Sequence, residues 1–416
     1  MYISYKINKE NLVSLITTLF VFVVVIDPSD VIFKLKMPLF AILVFLLSIT
    51  YPKIKKSAVN ITLIVFGICF ITSALGIIRG ININWDFAIG IYKGFLMILL
   101  IAWTNRLRIL ERLYLPIMVI AIVVIVTYVS MLAFPALEYI IYGMTNNVGS
   151  SLPIIMSRRE FIGIPLTMVF YKTSPLALFV SGIFLQRLIN NRGKIFYNLL
   201  IASSSLMILF FSGTRMNILS GLIILSFMII QKFWNNKLGR FVSLLCLFFG
   251  IIAMGILLNL MLSDKNETSL NSKTVLSKAF SKQVEKDPLL IFIGQGAGAT
   301  FDSLGIRGKE AVQSELTYQD LTRWYGIPLT VVILLIYLYP IFLIYKKRKI
   351  LPYSAVLILA YTLYIAIAGT NPLLITSTGM IALLIMYSYA YNPYYENKMT
   401  LRLHNNKNTL KYADTE

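Results

Sequence analysis

Glu315, Gln319 and Arg323 recur at i, i+4 and i+8, so a helix over 310–325 would carry a carboxylate, an amide and a guanidinium on one face, with Thr322 nearby. A carboxylate can take a proton from a hydroxyl, and a planar guanidinium pairs bidentately with phosphate oxygens. Grouped in this way, such side chains either line a cavity or form a solvated helix face. Arg215 follows Ser212, Gly213 and Thr214 at a junction between two apolar runs. An arginine there either snorkels to headgroups or binds an anion. Arg158 and Arg159 form another basic pair in the connection over 134–173.

The elements that position these groups are set by composition. The chain has 416 residues, of which 58% are hydrophobic and 13% charged, with a mean hydropathy of +0.78. Such a chain does not stay soluble as a monomer and belongs in a lipid bilayer. Spanning the hydrocarbon takes about 20 apolar residues as a helix. Twelve runs meet or approach that length: 11–26, 31–50, 58–78, 87–103, 115–132, 174–188, 195–211, 216–230, 241–262, 327–345, 351–368 and 373–389. They are too long and too uniformly apolar for alternating barrel strands, and backbone groups in lipid must be satisfied internally. The fold class predicted is therefore all-α, a polytopic bundle of about twelve transmembrane helices.

Charge orients that bundle. One set of connections, together with both termini, collects 22 Lys and Arg against five Asp and Glu. The opposite set is nearly balanced, so the positive-inside rule puts both termini in the cytoplasm. Four regions follow: helices one to nine in 1–262, a large periplasmic loop over 263–323, helices ten to twelve in 324–391, and a cytoplasmic tail over 392–416. The net charge of +20 then reflects topology and attraction to anionic lipid, and no nucleic-acid partner is needed to explain it. The first run lacks a cleavage pattern after Asp27 and Pro28 and reads as a retained helix. Cys69 and Cys246 lie within apolar runs as small core residues, and the lone His404 leaves no metal cluster to build. No GxxxxGK[ST] loop is present, which argues against an ATP-driven pump.

The 263–323 loop is the long polar stretch among the spans, and loops of that length tend to be functional. Asn271 or Ser272 would cap a helix whose Val275, Leu276, Ala279, Phe280 and Val284 form an apolar stripe, with Lys273, Lys278, Lys282 and Lys286 opposite. It would lie on the outer membrane surface or pack on the bundle as a lid. Gly294, Gly296 and Gly298 follow, outside any strand–turn–helix context for a dinucleotide. They predict a turn with positive φ or a close ligand approach.

Taken in order, Phe211, Ser212, Gly213, Thr214 and Arg215, then Gly221, then Gly294, Gly296, Gly298 and Phe301, then Glu315, Tyr318, Leu321 and Gly326 resemble the O-antigen polymerase and ligase superfamily. Weaker echoes fall at Arg159, Gly163 and Pro175 and at Asn371 and Pro372. The resemblance covers about the second half of the chain. It implies glycosyl transfer outside the inner membrane from a glycan carried on undecaprenyl diphosphate, with no cofactor and no metal. Ligases of the superfamily carry a histidine where Glu315 stands here, which favours a polymerase. A ligase-type transferase, or a lipid-linked oligosaccharide flippase or transporter, is the alternative. The Arg-x10-Gly pattern described for some polymerase loops is absent at Arg158, Arg159, Arg215 and Arg307.

On that resemblance, Glu315 is expected to act as general base toward the acceptor hydroxyl, walled by apolar helices and beside Arg323. Arg215 and Arg159, with Arg158 in support, are expected to hold the diphosphate, and Gln319 and Arg323 to contact substrate. The implied partners are undecaprenyl-diphosphate-linked glycans and the bilayer, with room for a chain-length regulator.

Overall fold

The computed structural model describes residues 9–54, 56–134, 136–137, 140, 152–161, 164–234, 237, 239–241 and 268–391. The ninth apolar run, apart from its first residue, and the tail over 392–416 lie outside them. The chain is mostly helical. Among the described residues six helices are long and apolar enough to cross a membrane: Lys9–Ile26, Lys56–Ile78, Trp85–Leu107, Ile109–Ala133, Arg215–Phe233 and Thr317–Lys346. Shorter apolar helices cover Lys36–Thr50, Ser174–Ile189, Ile195–Phe211, Ser354–Gly369 and Ser377–Ala390. Their outward faces stay apolar, as at Phe70, Ile78 and Phe196, which suits lipid as the solvent. Ser377–Ala390 is buried along its whole length, so the other helices wrap around it.

The connections gather at two ends, tied by polar contacts. At one end, Arg112 bonds Ser14 and Thr18, the Trp103 indole donates to the Tyr51 carbonyl at 3.0 Å, and the Lys347 ammonium donates to the Ala390 carbonyl at 3.1 Å. At the other, Ser377 Oγ donates to the Pro28 carbonyl at 2.9 Å, Thr173 Oγ1 to that of Val25 at 2.8 Å, and Thr317 Oγ1 to that of Asn371 at 2.8 Å. Asp27 is fully buried there and accepts from the amides of Val31, Ile32 and Phe33, closing the turn between the first two helices.

Among the described residues the sequence reading missed one element, an antiparallel hairpin. Its strands, β1 (Ile154–Phe161) and β2 (Ile164–Tyr171), pair Ser157 with Met168, Arg158 with Thr167 and Arg159 with Leu166. Val, Ile, Thr, Phe and Tyr fill β2, types that suit a pleated, half-buried surface. Met168, Val169 and Tyr171 are buried, and the Tyr171 hydroxyl bonds the Ile26 carbonyl.

The loop over 268–316 is folded. Its helix α1 (Thr268–Lys286) begins before the expected caps. The stripe faces inward: Leu276 and Ala279 are buried against Phe301 and Ala311, with Leu316 beside them. The rest of the loop thus covers the stripe. Lys278, Lys282 and Lys286 are exposed as expected, whereas Lys273 is half-buried.

Candidate functional site

The glycine cluster is where the loop docks. Gly294, Gly296 and Gly298 have φ of +68°, +92° and +81°, so the expected turn with positive φ is present. What comes close, however, is the chain's own backbone. A Cβ on Gly296 would lie 2.8 Å from Ser73 Cα, and one on Gly298 would lie 2.5 Å from the Asn84 carbonyl oxygen. The loop joins the segment after Lys56–Ile78 through Asn84 N–H to the Gly298 carbonyl at 2.9 Å and Thr300 N–H to that of Asn82 at 3.0 Å.

A second docking contact repairs a broken helix. Thr317–Lys346 is interrupted at Gly326, whose φ of +72° and ψ of +165° are not helical. The break, with Pro328 following, takes the usual donors away from the carbonyls of Arg323 and Trp324. Gln295 and Gly296 N–H supply replacements, at 2.8 Å and 2.9 Å. Left unmet in a buried place, each carbonyl would cost about 1–3 kcal/mol. The two glycines are reciprocal: a Cβ on Gly294 would meet the Trp324 carbonyl, and one on Gly326 the Phe292 carbonyl, each at 2.4 Å.

Polar side chains lock this arrangement. Arg79 donates to the Gly294 carbonyl at 2.8 Å and forms an ion pair with Asp287. Gln295 Nε2 donates to the same carboxylate at 3.0 Å, and Gln283 Nε2 donates to Gln295 Oε1 at 2.7 Å.

Three expected site residues come out as follows. The helix starts at Thr317, so Glu315 precedes it and does not share a helical face with Gln319 and Arg323. The cause lies upstream, where Ala311 exchanges backbone hydrogen bonds with Phe301 at 2.8 and 3.0 Å. Asp320 then accepts from Ser314 N at 2.8 Å and Oγ at 3.0 Å. Glu315 is 38% exposed and paired with Arg307 at 3.3 Å, not enclosed by apolar walls. Arg323 is 1% exposed, which corrects its expected role as a substrate contact. Its guanidinium bonds the Ala299 carbonyl, the Val312 carbonyl at 2.6 Å and Asp320 at 3.2 Å, and it lies 4.4 Å from the Phe301 ring centre. Gln319 donates to Ser277 Oγ at 3.2 Å and so fastens α1 to the helix that follows. Both side chains hold the loop together.

The turn before Arg215 meets the hairpin. Arg215 opens its helix right after the Ser212–Thr214 turn and is half-buried. Gly213 has a φ of +57°, and a Cβ there would lie 2.2 Å from Met168 Cγ. Met168 on β2 is the register partner of Ser157, the residue before Arg158. The arginine-bearing hairpin therefore rests on the turn that carries Arg215. Beneath it, buried Asn217 donates to Ser174 Oγ and Ser212 Oγ, both at 3.0 Å.

Two lysines at this end were not among the expected site residues. The Lys172 ammonium donates to Ser29 Oγ at 3.0 Å, and that of Lys36 to the Pro28 carbonyl at 2.9 Å. Burial lowers the Lys172 pKa, and Asp27 opposes the shift. Sequence spacing offers no signal for them, because the hairpin and the first turn meet only in the fold.

A scan against protein-family models gives no match, and a search of curated protein sequences gives none either.

Proposed function

We propose that this chain polymerises lipid-linked oligosaccharide repeat units, O-antigen or a similar surface polysaccharide, on undecaprenyl diphosphate at the periplasmic face of a bacterial inner membrane. In this reading the run over 241–262 completes twelve spans, and both termini are cytoplasmic. The reading is supported by the ordered residues that resemble the O-antigen polymerase and ligase superfamily. The observation that carries it is the seating of the hairpin with Arg158 and Arg159 on the turn before Arg215. This sets the strand that carries Arg158 and Arg159 beside the turn before Arg215.

The step is a single displacement. Glu315 takes the proton of the acceptor hydroxyl, whose oxygen attacks the anomeric carbon of the donor glycan. The bond from that carbon to the diphosphate oxygen breaks, and its electron pair leaves with the diphosphate. The configuration inverts. Arg215, with Arg159 and Arg158, stabilises the charge that builds on the leaving group. The partial exposure of Glu315, beside Arg307, leaves its carboxylate within reach of the sugar hydroxyl of a lipid-linked acceptor.

Deletion in the host tests the reaction class. A polymerase defect leaves lipopolysaccharide core bearing a single repeat unit. Core with no repeat unit would instead point to a ligase or a flippase and would overturn the proposal.

A further inference from the structure

At the end of the bundle opposite Glu315 and Arg215, a cavity opens between the helices. Its volume is about 100 Å³, and Arg108, Glu111, Tyr114, Arg187, Tyr353 and Ser388 contribute to its lining. A cavity of that size admits a phosphate group and the atoms next to it, not a whole drug-sized ligand.

The geometry holds Arg187 as a ready anion ligand. Its guanidinium lies 4.8 Å from the Phe184 ring centre and 5.8 Å from that of Tyr114, and those two rings meet edge to face at 4.9 Å. Aromatic faces fix the plane of the fork and leave its edge for hydrogen bonds. Among the described residues Arg187 has no carboxylate or carbonyl partner. Neighbouring cations differ: Arg112 is committed to the Leu107 carbonyl, Ser14 and Thr18, and Lys347 to the Ala390 carbonyl.

The rest of the lining is shaped for the same purpose. Arg108 has a φ of +43° and Tyr353 one of +63°, left-handed conformations that cost a side-chain-bearing residue energy and cluster at functional sites. Ser388 Oγ accepts the Ile109 amide at 3.3 Å, which fixes the short helix Ile109–Arg112 against the last helix. Glu111 stands 4.0 Å from Arg108, so the lining carries two guanidiniums and one carboxylate. A singly charged anion is the better match. A dianionic phosphate would face Glu111 at a cost, whereas a phosphodiester would leave that carboxylate to accept from a headgroup hydroxyl.

We infer that this cavity binds the phosphodiester of a glycerophospholipid headgroup, with Arg187 and Arg108 on the phosphate and Glu111 on a headgroup hydroxyl. The site stands apart from the glycosyl-transfer reading and does not depend on it. The same chemistry could reach the cavity from the adjoining leaflet or as a soluble phosphodiester.

The test uses the full chain in a neutral detergent, titrated with dioleoylphosphatidylglycerol, with phosphate-free dioleoylglycerol, and with deacylated glycerophosphoglycerol. Native mass spectrometry reads what is retained. The wild type should keep one phosphatidylglycerol and no dioleoylglycerol. Arg187→Ala should reduce retention at least about tenfold, the loss expected for one charge-assisted hydrogen bond. Arg187→Lys, which keeps the charge above the rings and guards against a folding defect, should retain an intermediate amount. Lys237→Ala, a basic residue outside the cavity lining, should match the wild type. Binding of glycerophosphoglycerol that is lost in Arg187→Ala would support the site and assign it a soluble ligand. Equal retention by Arg187→Ala, Arg187→Lys and wild type, or equal retention of dioleoylglycerol, would overturn it.

Discussion

Glu315→Gln is expected to slow chain growth by about 10²- to 10⁴-fold while binding of the lipid donor persists. Glutamine keeps the size of the side chain and can still accept from Arg307, whose guanidinium lies 3.3 Å from the carboxylate. What it lacks is the basicity needed to accept the acceptor's proton. Glu315→Asp, with the carboxylate drawn back by one methylene, should retain partial activity. Because Glu315 is outside the helix and 38% exposed, neither change should disturb packing. Comparable protein levels by immunoblot would check that point. Near-normal polymer from Glu315→Gln would remove the base role and leave catalysis to positioning and arginine electrostatics.

The second large effect belongs to Arg215. Replacement by Ala should remove about 2–4 kcal/mol of transition-state stabilisation, a loss of roughly 30- to 1000-fold in rate. Arg215→Lys should also be impaired, because a lysine keeps the charge but not the bidentate fork. The preceding turn is held by Gly213 against Met168 and by Ser212 through Asn217. Polymer at wild-type length and yield from Arg215→Ala, at equal protein levels, would identify Arg215 as a snorkelling residue.

Much of the bundle is legible in the sequence because lipid imposes one rule: a spanning segment must be apolar and must satisfy its own backbone. Helix positions follow from that rule alone. The hairpin is not legible in the same way. Its strands fall in a connection where alternation is imperfect, and what fixes them is burial of Met168, Val169 and Tyr171 against distant helices. The helix over 310–325 fails for a related reason. Periodicity marks Glu315, Gln319 and Arg323 as one face, but the pairing of Ala311 with Phe301 draws the chain away from helix until Thr317.

The glycines show how far local chemistry reaches. Three of them in five residues forecast positive φ, and all three adopt it. Nothing local says that the approaching group is the backbone of the third helix or of the segment after it. Arg323 is the sharpest case. An arginine near an apolar span reads as a ligand for anions, yet its own neighbour Asp320 and two loop carbonyls occupy it. Tertiary contacts decide which charged residues remain available for chemistry, and spacing does not report them.

In the proposed reaction this chain lengthens a lipid-linked glycan by itself. Purified protein incubated with a defined repeat unit on undecaprenyl diphosphate, in the presence of a chelator and without nucleotide, tests it directly. The expected result is a ladder of lipid-linked products spaced by one repeat unit, faint or missing with Glu315→Gln. A folded preparation that leaves the starting lipid unchanged, or that moves the glycan only to a lipopolysaccharide core acceptor, would contradict it.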